Sequence, residues 1–232
     1  YLCAPNDTSF NVVMLIKEIG AKVIFKDNIV DILKAKKNTT EENGMRNAHI
    51  RDGVALTKFI YWIKNTKNNS QTEISASNYL DKLRSKNENF FSLSFPTIAG
   101  SGPNGAIVHY RASNKTNRTL KKDDLFLVDS GAQYFDGTTD VTRTIAFSKV
   151  TYEQKKMYTL VLKGHIAVAL STFNEKESGK TLDRHARKFL KKEKLNFDHG
   201  TGHGVGSFLN VHESPPSISP LSKHKFKKGM IV

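Results

Sequence analysis

The chain has 232 residues and a mass of 26.0 kDa, enough for one sizeable core and a fragment of another at roughly 100–200 residues per domain. Its hydrophobic content of 38% and mean hydropathy of −0.45 suit a water-soluble segment, and no apolar run approaches the roughly 20 residues needed to span a bilayer, so a membrane is not among the expected partners. The net charge of +14 and pI near 9.7 raise nucleic acid, but lysine is scattered among asparagine, as in K64-N-T-K-N-N-S70, with no basic stripe and no aromatic interleaving. That pattern reads as a compositional bias, and no specific nucleic-acid partner is expected; the N-x-S/T matches at Asn114 and Asn117 carry no weight for the same reason. The single cysteine, Cys3, cannot form an internal disulfide and fits a reducing compartment, so a cytoplasmic location is expected.

The chain starts at Tyr1 without an initiating Met and stops at Val232 inside K227-K-G-M-I-V, which reads as a strand, so it is read as cut from a longer parent at both ends. Residues 1–36 read as a strand-helix-strand tail, with N11-V-V-M-L-I-K-E-I-G stopped by Gly20 and A21-K-V-I-F as a short β run. From an N-cap at Thr39 or Thr40, with Glu41 and Glu42 in the first turn, an amphipathic helix is expected to about Asn65. Met45, Ala48, Asp52, Leu56, Phe59 and Ile63 share one face, with Asp52 the lone polar intrusion. A polar linker precedes a second helix at about 75–86. In S92-L-S-F-P-T-I-A-G-S-G-P-N-G-A-I-V-H-Y110 two β-like runs flank a Gly/Pro/Asn turn, with His109 at the end of the second. L125-F-L-V-D-S-G and D140-V-T-R-T-I-A-F read as a paired hairpin, followed by helices at about 152–173 and 181–193. The order gives an α+β fold with an antiparallel sheet.

The chemistry gathers in D129-S-G-A-Q-Y-F-D-G-T-T-D140-V-T-R-T and H199-G-T-G-H203-G-V-G206. Asp129, Asp140 and His203 are hard, deprotonatable groups of the kind that hold a divalent cation. Register is decisive for the Asp pair. A two-residue turn at Asp136-Gly137 would leave the carboxylates about four residues, or roughly 13 Å, apart along the strands. A shared site needs closure nearer Tyr134-Phe135, or a bulge. The glycine alternation after His199 would put His199 and His203 on one face of an extended segment, aimed into a common cavity that His212 could wall. Each piece also has a plainer reading. A strand Asp beside Ser-Gly can be a turn partner, a His-Gly repeat a loop, His109 a core histidine, and Arg143 a counter-ion for the carboxylates.

Taken together, D129-S-G-A-Q-Y-F-D-G-T-T-D-V-T-R-T, H199-G-T-G-H-G-V-G and N210-V-H-E resemble the metallopeptidases of the pita-bread (creatinase/aminopeptidase) fold, and among them the aminopeptidase P, or X-prolyl aminopeptidase, family. K34-A-K-K-N, G44-M-R-N-A-H-I-R-D-G and G100-S-G-P-N-G-A-I-V-H-Y are similar to the same family in its long, three-domain form, so the resemblance runs from about Leu33 onward. It implies a curved antiparallel sheet flanked by helices, incomplete at the C-terminus, with 1–36 the remnant of a preceding non-catalytic domain and 37–232 the catalytic domain. It implies two divalent ions, manganese being usual, with Asp129, Asp140 and His203 as metal ligands and two glutamates beyond Val232. It also implies His109, His199 and His212 as catalytic histidines of the pocket. The implied reaction is attack of a metal-bridging hydroxide on the peptide bond before proline, with peptides carrying proline in second position as substrates and a homodimer as the parent's assembly. On this reading the isolated chain binds metal weakly and is inactive. The alternatives are prolidase or methionine aminopeptidase of the same fold, or a pita-bread domain kept as a non-catalytic binding module.

Overall fold

A computed structural model describes residues 1–66, 70–174 and 177–232; the part of the polar linker at 67–69 lies outside the described residues. At the N-terminus, β1 (Leu2–Ala4) and β2 (Val23–Phe25) pair in parallel through the crossover helix α1 (Phe10–Glu18). Gly20 follows α1 at φ +76°, a conformation that glycine adopts without a side-chain clash. Helix α2 (Ile29–Ala35), not anticipated from the sequence, follows with Asn28 as its N-cap and packs against the last strand of the chain.

Helix α3 (Thr39–Asn65) covers the predicted span, but its cap is Asn38 rather than either threonine. The Asn38 side chain accepts from Glu41 N at 3.0 Å while Glu41 accepts from Asn38 N at 2.9 Å. Only a cap three residues before Glu41 allows this reciprocal box, which places the threonines inside the first turn. Helix α4 (Glu73–Arg84) is capped in the same way by Thr72 and Ser75. The expected face of α3 is buried, and Asp52 is explained by Arg84, whose Nε and Nη2 reach its two oxygens at 2.7 and 2.8 Å. Tyr134 adds a hydroxyl donor at 2.8 Å.

The strands form two three-stranded antiparallel sheets sharing one long ribbon. β3 (Phe90–Leu93) pairs with β6 (Ala132–Tyr134), which pairs with β7 (Gly137–Thr138). β4 (Ile98–Ser101) pairs with β5 (Leu125–Ser130), which pairs with β8 (Val141–Ala146). Leu56, Phe59, Ile63 and Leu80 of the helices meet Phe126, Val128 and Ile145 of the second sheet in the main core. Burying each such side chain stabilises by roughly 1.5–3 kcal/mol.

The expected strand at 106–110 does not form. A 3₁₀ turn at Gly102–Ala106 folds the chain back so that a Cβ on Gly100 would lie 2.8 Å from Gly105 Cα, and the loop continues irregularly to β5. Helix α5 (Tyr152–Ala169) ends earlier than predicted and crosses α6 (Gly179–Lys192) at Gly164, where a Cβ would sit 2.2 Å from the Ala186 carbonyl oxygen. β9 (Gly202–Gly204) and β10 (Glu213–Ile218) make a last antiparallel pair. The segment 227–232 is not a strand; it lies beside the end of β9 through one backbone bond, Val205 N to Ile231 O at 3.1 Å.

Candidate metal centre

The ribbon turns at Phe135–Asp136, one residue earlier than the Asp136–Gly137 turn that would have separated the carboxylates. Tyr134 pairs with Gly137, and the same register continues to Asp129 opposite Thr142. Two contacts explain the choice. Gly137 lies tight against α3, where an added Cβ would be 2.8 Å from Ala48 Cβ, and Asp136 forms an ion pair with Arg51 of the same helix. Asp140 is therefore two residues from the partner of Asp129. The two share a face as diagonal neighbours, at about 7–8 Å between Cα atoms, and both line one cavity. Between them the ribbon is pinched at Gly131, where a Cβ would stand 1.8 Å from the Thr139 carbonyl oxygen.

His203 arrives from β9. Its Nε2 is 3.1 Å from Asp140 Oδ2, and its Nδ1 is 2.9 Å from the Gly204 carbonyl oxygen. A carbonyl only accepts, so Nδ1 carries the proton and Nε2 is the nitrogen left for a metal or a second proton. The Asp140 contact holds the imidazole above its ordinary pKa, against the opposing effect of burial. His212 stacks edge-on against His203 at 4.1 Å between ring centroids, and burial together with His203 keeps its pKa low. Asp140, His203 and His212 each offer a ligand atom within 4.8 Å of the others. Asp129, His109 and Arg111 line the same cavity of about 370 Å³, with Phe95, Pro96 and Val211 as its apolar walls.

Asp129 supplies the test of fit for a cation. Its Oδ1 is buried and, among the described residues, has no hydrogen-bond partner, and burial, then the Asp140 charge, raises its pKa while Thr142 and the Ser130 backbone pull it down. A buried carboxylate oxygen left without a donor is costly, and carboxylates with imidazoles are the donor set of manganese, cobalt or zinc. The residues fit a divalent metal.

Not every expected residue is brought to this cavity. His199 is exposed, its Nδ1 lies 2.7 Å from Gly200 O, its ring tilts over Phe197 at 4.8 Å, and it does not line the cavity. The expectation that His199 and His203 share a cavity is therefore corrected: regular pairing begins only at Gly202, so side-chain alternation does not extend back to His199. Arg143 is no counter-ion either. It stands opposite Val128 on the other face of β8, exposed, and its Nη1 donates to Thr142 O. His109 does line the cavity, but from the irregular loop and at φ 55° rather than from a strand.

The sequence reading missed what holds the histidine segment. Arg187 of α6, paired with Asp183 one turn earlier, donates to Asn196 Oδ1, Phe197 O and His199 O, and Thr201 donates to Asp183 Oδ1 at 2.7 Å. The i, i+4 spacing of Asp183 and Arg187 was visible, but an exposed helix pair has the same spacing. It also missed Arg111 as a cavity residue.

Residues 43–232 match the family model described as Metallopeptidase family M24. The chain is 53% identical over 188 residues to a protein of Paracoccidioides brasiliensis (strain Pb03) named "Probable Xaa-Pro aminopeptidase P", covering 80% of this chain and 30% of that one. Among solved structures it is similar to an X-prolyl aminopeptidase from Caenorhabditis elegans, described as a cytosolic enzyme with a di-nuclear active site, with a TM-score of 0.91 and 38% identity over 98% of this chain and 37% of that one. A recombinant prolidase from Thermococcus sibiricus gives a TM-score of 0.81 at 29% identity, over 99% and 60% of the two chains. The chain thus spans about a third of the length of the Paracoccidioides and Caenorhabditis proteins it matches. With the family match over most of its length and the pita-bread architecture shared with these structures, the chain belongs to metallopeptidase family M24.

Proposed function

We propose that the protein containing this chain is a metal-dependent aminopeptidase that releases the N-terminal residue from peptides with proline in second position. The observation that carries the reading is the buried, unpartnered Asp129 Oδ1 in the same cavity as the Asp140–His203–His212 cluster. Asp129, Asp140 and His203 would supply three of the ligands for two divalent cations, with manganese the expected metal. When bound, such cations supply an activated water at neutral pH and polarise the scissile carbonyl. The His203 tautomer fixed by the Gly204 carbonyl leaves Nε2 as the atom that would ligate a metal. Phe95, Pro96 and Val211 offer an apolar wall suited to a proline ring. His109 orients the peptide, and His212, which lines the same cavity, exchanges a proton with the leaving proline nitrogen. His199, outside the cavity, is given no step.

A non-catalytic binding module would need no unpartnered carboxylate oxygen beside Asp140, His203 and His212, which favours the enzyme. Residues 1–36 are assigned to a preceding non-catalytic domain and 37–232 to the catalytic domain. A cytoplasmic location and a homodimer complete the proposal. The cytosolic description of the Caenorhabditis elegans enzyme supports the former, and no helix among the described residues is long and apolar enough to cross a membrane. The test is hydrolysis by the full-length protein, stripped of metal and then given manganese. Cleavage of Ala-Pro-Ala well above Ala-Ala-Ala and Ala-Pro, abolished by chelator, is expected. Preference for the dipeptide would mean a prolidase, and metal-independent or absent cleavage would sink the reading.

A further inference from the structure

The loop between β4 and β5 is pinned by one residue, Glu73, the first of α4 and fully buried. Its carboxylate accepts from Ser101 N at 2.7 Å, Asn104 Nδ2 at 3.0 Å, Tyr110 Oη at 2.9 Å and Arg118 N at 3.0 Å, and its own N–H donates to Arg118 O at 3.0 Å. Among the described residues no cation pairs with it, so four neutral donors from the loop and its flanks are all that offset its burial. Losing any one of them is costly, which fixes the loop from both sides of His109, itself at φ 55°.

This fixed loop carries Arg111 into the wall of the metal cavity. Arg51, Arg84, Arg118 and Arg187 are each committed to a carboxylate elsewhere in the fold. Arg111 is exposed and, among the described residues, takes part in no hydrogen bond or ion pair, although two carboxylates line the same cavity. A guanidinium is a planar fork of donors that matches a carboxylate, and one displayed on a pre-organised loop loses little freedom on engaging it. We propose that Arg111 is a specificity-determining residue of this cavity that receives a carboxylate of the bound peptide, supplied by an acidic side chain or by the peptide's C-terminus. The proposal rests on the aminopeptidase reading above.

The two sources separate in three peptides, Ala-Pro-Asp-amide, Ala-Pro-Asn-amide and Ala-Pro-Asn with a free C-terminus, assayed with the manganese-loaded full-length protein. A wild-type preference of about fivefold in kcat/KM for a carboxylate-bearing peptide over the neutral amide, expressed in KM, is expected for a partly exposed pair. The Asp-amide responds if the site takes a side chain, the free acid if it takes the terminus. Arg111→Gln should bring the ratio to near one, Arg111→Lys should restore part of it, and Arg111→Glu should invert it toward Ala-Pro-Lys-amide. A loss of rate equal for all peptides, or a wild type indifferent to the carboxylate, overturns the proposal while the aminopeptidase reading stands. Absence of cleavage of every peptide sinks that reading instead. Calorimetry of the metal-free protein with the Asp and Asn amides then still decides Arg111: tighter binding of the Asp peptide, lost in Arg111→Gln, supports the subsite, and equal binding overturns it.

Discussion

Asp52 on α3 is buried and Asp129 on β5 half-buried with one oxygen shielded from water, and the two carboxylates are satisfied differently. Both oxygens of Asp52 are engaged, by Arg84 and Tyr134, in a site only 2% exposed. Among the described residues Asp129 Oδ1 is buried and without a donor, while Asp140 adds a second negative charge nearby. The fold supplies a cation to Asp52 from its own side chains and, on the function proposed above, leaves Asp129 to a cation from solution. A buried charge whose partners are all internal holds elements together; one whose complement is missing marks a binding site.

The comparison breaks most severely at Arg84. Replacing it by Met strands Asp52 and should cost about 3–5 kcal/mol, read as a lower urea midpoint at unchanged slope. Next is Asp140→Asn, which should weaken manganese binding by about 100-fold or more while leaving the metal-free protein folded; a change of a fewfold would remove Asp140 from the ligand set. Asp129→Asn sharpens the contrast. In the metal-free protein it removes a desolvated charge and should leave thermal stability unchanged or raised by about 1 kcal/mol, a shift of about 2–4 °C, even as metal affinity falls. A loss of several degrees would show Asp129 to be structural, like Asp52. The narrowest effect, on stability alone, is expected remote from both, at Asn38→Ala, where loss of the capping box should cost about 1 kcal/mol with metal affinity intact.

Much of this site was legible because its chemistry is local. The D129-S-G and D140-V-T-R motifs, the glycine-spaced His203 and the apolar face of α3 are short-range patterns, and they gave the α+β class and the residues that meet in the cavity. Errors arose where the partner was distant. The loop after Gly102 has a β-like composition in A106-I-V-H-Y110, but the hydrogen bonds of Glu73, some 30 residues earlier, outweigh that local preference. His199 looked equivalent to His203 by spacing, yet Arg187 holds its carbonyl and the strand starts only after it.

Sequence alone therefore determined which groups are available: two aspartates of fixed parity, three histidines near a glycine-rich turn, and one polar break in a helical face. Tertiary structure decided which of them meet. The ribbon's turn was set by Gly137 against Ala48 and Asp136 against Arg51, contacts made across some 85 or more residues, and that single-residue choice put Asp140 diagonal to Asp129 instead of beyond its reach. A one-residue shift of the turn moves the pairing by two, so the site depends on long-range packing that no local pattern encodes.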